Sequence, residues 1–204
     1  MTSLLQTLQT LQTLQTLQTV LRELWLNKIP TRKTFFLYGY IIFTLLPNRE
    51  QELTRYRYLV FSAHGYFDAQ TPALSVIVLD QLNKTPDSDG YITASEWPSY
   101  DFKNDFKSDL MVLSACQTGQ GEVLRGEGLL GLPYAFYVAG NKNTLMTLWT
   151  LQDESTAEFT ARFFEKLKAG KNQVKALTET KREFMNSDKY KRPLFWAPFV
   201  LYGR

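Results

Sequence analysis

From Leu53 onward the apolar and polar positions fall into blocks of two kinds. Short, nearly unbroken apolar runs recur at Tyr56–Ala63, Leu74–Asp80, Leu110–Ala115, Thr144–Thr150 and Phe195–Tyr202. Runs of this length read as strands, the first of them buried. The segments between carry helical signals. Gly128–Ala139 reads as a helix ended by Gly140, and Val174–Met185 as another. Ser155 with Glu158 forms a capping box for a helix to about Lys168, closed by Gly170. Asp89-Gly90 predicts a tight turn, and Ile92–Trp97 the opening of a short helix capped near Thr93, with Glu96 three residues on. Strands that alternate with helices predict an α/β fold with a largely parallel sheet.

The first quarter of the chain behaves differently. Residues Leu5 to Thr19 are five copies of Leu-Gln-Thr, so residues 1–19 form a low-complexity segment. On a helix at about 100° per residue the leucines slip about 60° per copy, and on a strand they alternate faces, so neither element gains a fixed apolar side. Residues 20–52 mix an apolar patch with Pro30, Pro47 and charged residues and predict no definite element. Within them Phe35–Leu46 is the longest apolar stretch, and its 12 residues fall short of a spanning helix of roughly 20.

Composition narrows the function classes. With 204 residues, 44% of them hydrophobic and 14% aromatic, the chain can bury one ordinary core. Net charge is only +3. Lysine and arginine gather between Arg162 and Arg192, but Glu158, Glu165, Glu179, Glu183 and Asp188 are interleaved with them. That pattern predicts solvated helix faces and no nucleic-acid partner. A single cysteine excludes an intrachain disulfide and suits a reducing compartment. Met1-Thr-Ser lacks the positive start of a secretory signal, so the expectation is a cytoplasmic protein with no membrane partner.

Candidate chemistry rests on two residues that each occur once. His64 and Cys116 both end an apolar run, in Tyr58-Leu-Val-Phe-Ser-Ala-His64-Gly65 and Leu110-Met-Val-Leu-Ser-Ala-Cys116-Gln-Thr-Gly119. Taken singly, a buried cysteine and an unrelated surface histidine are the plainer readings. Taken together, a histidine base beside a cysteine nucleophile is the economical one. If both runs are parallel strands, their carboxyl ends lie on one edge of the sheet, where open α/β folds place their sites. Strands about 5 Å apart would let the two side chains meet.

These motifs, with Arg125-Gly-Glu-Gly-Leu-Leu-Gly131, resemble the CHAT peptidases, caspase-like proteases often found beside tetratricopeptide repeats. The likeness continues through Asp89–Glu96, Leu148-Trp149 with Asp153-Glu154, and Trp196–Gly203, covering residues 53–204. It implies a caspase-like three-layer α/β fold with a mostly parallel central sheet flanked by helices. Family domains carry further sheet and helix before the histidine strand, so residues 20–52 stand as a remnant or replacement of that N-terminal half. The activity implied is cysteine endopeptidase chemistry on a protein substrate, with no cofactor and no metal. The resemblance gives the oxyanion contacts to the backbone of Gly65 and Cys116, while Gln117 opens the loop that presents the cysteine. Asp153 either lines the pocket for the residue before the scissile bond or serves the start of its helix. A partner containing tetratricopeptide repeats, or another regulatory protein, is also implied.

Two other patterns are weaker. Gly126-Glu-Gly128-Leu-Leu-Gly131 matches a dinucleotide fingerprint in letters, but its first glycine does not directly follow the strand as that turn requires. Thr85–Glu96 matches a calcium loop at some positions, but with threonine first and proline second. Phe159, Phe163 and Phe164 have helical spacing and predict core packing. The competing reading of the whole chain is a catalytically silent interaction domain. A sheet strand supplied by residues 20–52 would favour the enzyme.

Overall fold

A computed structural model of the chain describes residues 35–38, 57–61, 65–66, 68, 70–78, 89–99, 108–113, 131–149, 151 and 153–203. The chain divides into two compact units, residues 33–150 with 200–204, and residues 1–32 with 151–199.

The first unit is built on a five-stranded sheet. Its strands are β1 (Phe35–Tyr38), β2 (Tyr58–Phe61), β6 (Leu110–Leu113), β7 (Asn143–Thr147) and β8 (Phe199–Gly203), side by side in the order β1-β2-β6-β7-β8. The first four run parallel to one another. The carboxyl end of β8 lies against the amino end of β7, where Gly203 meets Lys142 and Asn143, as in an antiparallel pair. The sheet is thus mixed and mostly parallel, and the fold is α/β, consistent with the caspase-like architecture. Strand β1 falls in the segment for which the sequence predicts no definite element. It sits at the sheet edge beside β2, with Phe35 opposite Tyr58 and Tyr38 opposite Phe61.

Three shorter strands form a separate antiparallel sheet, β3 (Gly65–Tyr66), β4 (Val76–Val78) and β5 (Tyr91–Thr93), in the order β3-β4-β5. Gly65, Ile77 and Ile92 are register partners and all buried, whereas Tyr66 and Tyr91 project to solvent. Period-two alternation of this kind is what a sheet with one covered face requires. Ile77 and Ile92 enter the unit's main core with Leu59 and Phe61 of β2, Met111 and Leu113 of β6, and Met146 of β7. Helix α1 (Leu132–Ala139) closes this core with Leu132, Ala135, Phe136 and Ala139. At its centre Phe136 meets Trp97 edge to face at 4.6 Å and stacks on Phe61 at 6.1 Å.

Two expectations for this unit need correction. Thr93 ends strand β5 and opens no α-helix; the chain continues through a turn at 94–96 into a 3-10 turn at Trp97–Ser99. The capping contact itself forms, with Glu96 Oε2 accepting from Thr93 N at 2.5 Å. Pro98, which lacks an N–H, cannot extend a hydrogen-bonded helix from there. Helix α1 begins at Leu132 and not at Gly128, because Gly131 is its N-cap and a proline occupies its first turn. It ends as predicted at Gly140, whose φ of +110° suits glycine.

The second unit pairs helix α2 (Asp153–Lys168) with α3 (Gln173–Met185). Ser155 is not the cap of α2: the helix already runs from Asp153, Ser155 is buried inside it, and Glu158 pairs with Arg162 one turn on. Asn172 caps α3, its side-chain oxygen accepting from Lys175 N at 2.8 Å. Phe159, Phe163 and Phe164 are fully buried, as their spacing predicts, and Phe159 stacks on Phe199, the last residue of this same unit, with centroids 3.6 Å apart. Several clustered cations meet the interleaved acids, with Lys166 on Glu183 at 2.8 Å and Lys189 on Glu154 at 2.6 Å.

The end of β8 depends on a missing side chain. Gly203 has φ of +152°, and a Cβ there would collide with the Lys142 carbonyl oxygen and come within 2.8 Å of Asn143 Cα. Gly203→Ala is expected to lower stability by about 1–3 kcal/mol, through backbone strain and overpacking. Urea unfolding would read this, and an unchanged midpoint would contradict this packing of β8 on β7.

Candidate active site

The two central strands decide where the unique residues fall. Strands β2 and β6 are adjacent and parallel, paired Tyr58 to Leu110, Leu59 to Met111, Val60 to Val112 and Phe61 to Leu113. Their carboxyl ends therefore share one edge of the sheet. His64 follows Phe61 by three residues and Cys116 follows Leu113 by three. His64, Cys116 and Gln117 themselves lie outside the described residues, as does most of the glycine motif at 126–131. Gly65 is described: it is buried and opens β3 opposite Ile77. Asp153 is the first residue of α2, in the other unit.

Local hydrogen bonds hold the hairpin that Gly65 begins. Past β3, Asp68 Oδ1 accepts from Gln70 N at 2.9 Å and Thr71 N at 2.8 Å, while Asp68 N donates to Ser75 Oγ at 3.1 Å. The chain thus turns tightly and returns as β4. Asp89 Oδ1 accepts from Tyr91 N at 2.9 Å and sets the entry to β5. Glu96 Oε2 also accepts from Thr93 Oγ1 at 2.7 Å. Asp89 and Glu96, two acids of the calcium-like stretch, thus serve the local turns.

The opposite, amino edge of the sheet holds a charged cluster for which the sequence reading gave no role. Arg57, Asp109 and Lys142 immediately precede β2, β6 and β7. Both Arg57 Nε and Lys142 Nζ donate to the Asp109 carboxylate, whose side chain is only 13% exposed. Burial pulls this carboxyl upward, but the hydrogen bonds from Lys142 and Arg57 outweigh it and hold the group below the usual carboxylate range. Backbone bonds reinforce the cluster: Asp109 N donates to Arg57 O at 2.9 Å, and Lys142 N to Ser108 O at 2.9 Å. Each of the three is the charged residue directly ahead of its strand, a pattern that shows only once the strand bounds are known.

Comparison with known families now decides the assignment. The CHAT domain family model matches residues 44–204. The chain belongs to the CHAT-domain family. CHAT domains are a caspase-like peptidase family, and the matched stretch contains His64, Gly65, Cys116, Gln117 and Asp153. Strand β1 lies ahead of it. This CHAT chain is also similar to tetratricopeptide repeat protein 28 of Mus musculus, 32% identical over 94 residues, and to that of Homo sapiens, 30% identical over 94 residues. The alignments cover 46% of this chain and only 4% of each relative, so it corresponds to a small part of those proteins. Among the described residues no helix is long and apolar enough to cross a membrane.

Proposed function

We propose that this CHAT domain is a cysteine endopeptidase in which Cys116 is the nucleophile and His64 its base. The observation that carries the reading is the register of β2 on β6. His64 lies six residues past Tyr58 and Cys116 six past Leu110, and Tyr58 and Leu110 are partners. Equal offsets from paired positions on adjacent parallel strands support a meeting at one sheet edge. Strand β1 beside β2 supports the enzyme over a silent fragment, since the histidine strand is flanked on both sides.

The chemistry follows from the residue types. A free thiol has a pKa near 8.5, so only a small fraction is thiolate at neutral pH. His64 takes the thiol proton, and the thiolate attacks the carbonyl carbon of the scissile peptide. The resulting oxyanion accepts hydrogen bonds from the backbone N–H groups of Gly65 and Cys116. Collapse breaks the C–N bond as the imidazolium returns its proton to the leaving amine, and water then releases the acyl group from sulfur. No step needs a metal or organic cofactor. The substrate is a protein, met in the cytoplasm rather than on a membrane or nucleic acid. The names of the relatives support a regulatory partner carrying tetratricopeptide repeats.

Substrate selection falls to Gln117, in the loop that presents the cysteine, and to Asp153, whose carboxylate would pair with arginine or lysine before the scissile bond. A peptide-library cleavage assay on the full chain tests the function and this assignment together. The wild type is expected to cleave after basic residues, and Asp153→Asn to weaken that preference. A preference for apolar residues that the substitution leaves unchanged would make Asp153 a helix-start residue worth about 0.3–1 kcal/mol of stability. A wild-type chain that cleaves no peptide, alone or with a repeat-containing partner, would favour the silent domain.

A further inference from the structure

Strands β2 and β6 are apolar at every position, Tyr58-Leu-Val-Phe61 and Leu110-Met-Val-Leu113, and all eight residues are buried. In a sheet with one wet face, a slip of one residue would turn the apolar set to water, and that cost fixes register. Strands buried on both faces carry no such signal. Each residue of slip would carry the Cys116 segment about 3.3 Å along the His64 segment. That distance is as large as the hydrogen-bond reach of roughly 2.6–3.2 Å which proton transfer needs. The dyad therefore requires a register that the apolar side chains do not specify.

The charged cluster at the amino edge supplies it. Asp109 receives Arg57 from the β2 side and Lys142 from the β7 side. The peptide groups of Asp109 and Leu110 both donate to the Arg57 carbonyl, at 2.9 and 3.4 Å, and Asn143 Nδ2 reaches the Asp109 carbonyl at 3.5 Å. A slip of either neighbour pulls its cation off the largely sheltered carboxylate. We propose that Asp109 is a positioning residue of the peptidase, clamping β6 to β2 through Arg57 and to β7 through Lys142 so that Cys116 arrives opposite His64. This rests on the Cys-His reading above. Asp109 precedes β6 and Cys116 follows it, so the effect travels only through the strands.

The test is the pH profile of Cys116 alkylation by iodoacetamide in the full chain. Asp109→Asn keeps the shape and removes the charge; it is expected to move the profile midpoint toward the free-cysteine value of about 8.5 and to slow alkylation at pH 6.5 about tenfold. Asp109→Glu, which keeps the charge, is expected to retain most of the wild-type midpoint. Loss of stability alone lowers the folded fraction without moving the midpoint of the folded protein, so circular dichroism is recorded alongside. A wild-type midpoint in folded Asp109→Asn overturns the proposal. If that variant does not fold, Arg57→Met at a half-exposed position replaces it, with a smaller shift expected and an unchanged midpoint equally decisive. His64→Ala separates the two claims. If it moves the midpoint and the Asp109 variants do not, only the positioning role falls; if it does not move the midpoint, the dyad falls and the positioning role with it.

Discussion

Cys116→Ala is expected to reduce peptide cleavage to background, a loss on the order of 10⁴-fold or more in kcat, because no other side chain can form the acyl intermediate. His64→Ala should cost less, roughly 10²–10⁴-fold, the usual contribution of a positioned general base. The difference is diagnostic. Without the imidazole a small thiolate fraction persists and rises with pH, so the residual activity of His64→Ala should climb toward alkaline pH while that of Cys116→Ala stays flat. Rates measured on one library-selected peptide across pH 6 to about 9.5 would show this. A His64→Ala protein as active as the wild type would remove the histidine from the chemistry.

The largest stability effect is expected at Phe136. Its ring is fully buried between Trp97, which opens the 3-10 turn after β5, and Phe61, the last paired residue before His64. Phe136→Ala removes a whole ring from this aromatic trio and should destabilise the protein by about 3–5 kcal/mol. At roughly 2–4 °C per kcal/mol for a chain of this size, that is about 6–20 °C in melting temperature. Phe136→Leu keeps most of the volume and should recover much of the loss. If Phe136→Ala melts within about 2 °C of the wild type, α1 does not close this core as described.

What could be read from the sequence follows the physics of each element. The runs behind β2 and β6 announce themselves because a strand buried on both faces reads as a continuous apolar run. Helix α3 shows its periodicity, begins one residue before its predicted start and ends at the predicted Met185. Strand β1 was opaque for the opposite reason. It lies inside a long apolar patch with neither a two-residue nor a 3.6-residue period, and only its pairing with β2 singles out Phe35–Tyr38. Thr93-x-x-Glu96 misled because the side-chain contact of a capping box formed without the helix. At Ser155 the motif was present but the helix had already begun two residues earlier. The His64 and Cys116 motifs are legible as a candidate dyad, and the register of β2 on β6 adds the geometric support that spacing along the chain does not contain. The Arg57, Asp109 and Lys142 cluster escaped because its members are 52 and 33 residues apart and meet only once three strands are aligned.

The central claim is that His64 activates Cys116, and the rate of Cys116 alkylation at pH 6.5 tests it without knowledge of any substrate. With iodoacetamide, the wild-type chain should react faster than free cysteine, and His64→Ala should lose that advantage while remaining folded. Equal rates in the two proteins, or a cysteine that does not react at all in the native state, would contradict the account.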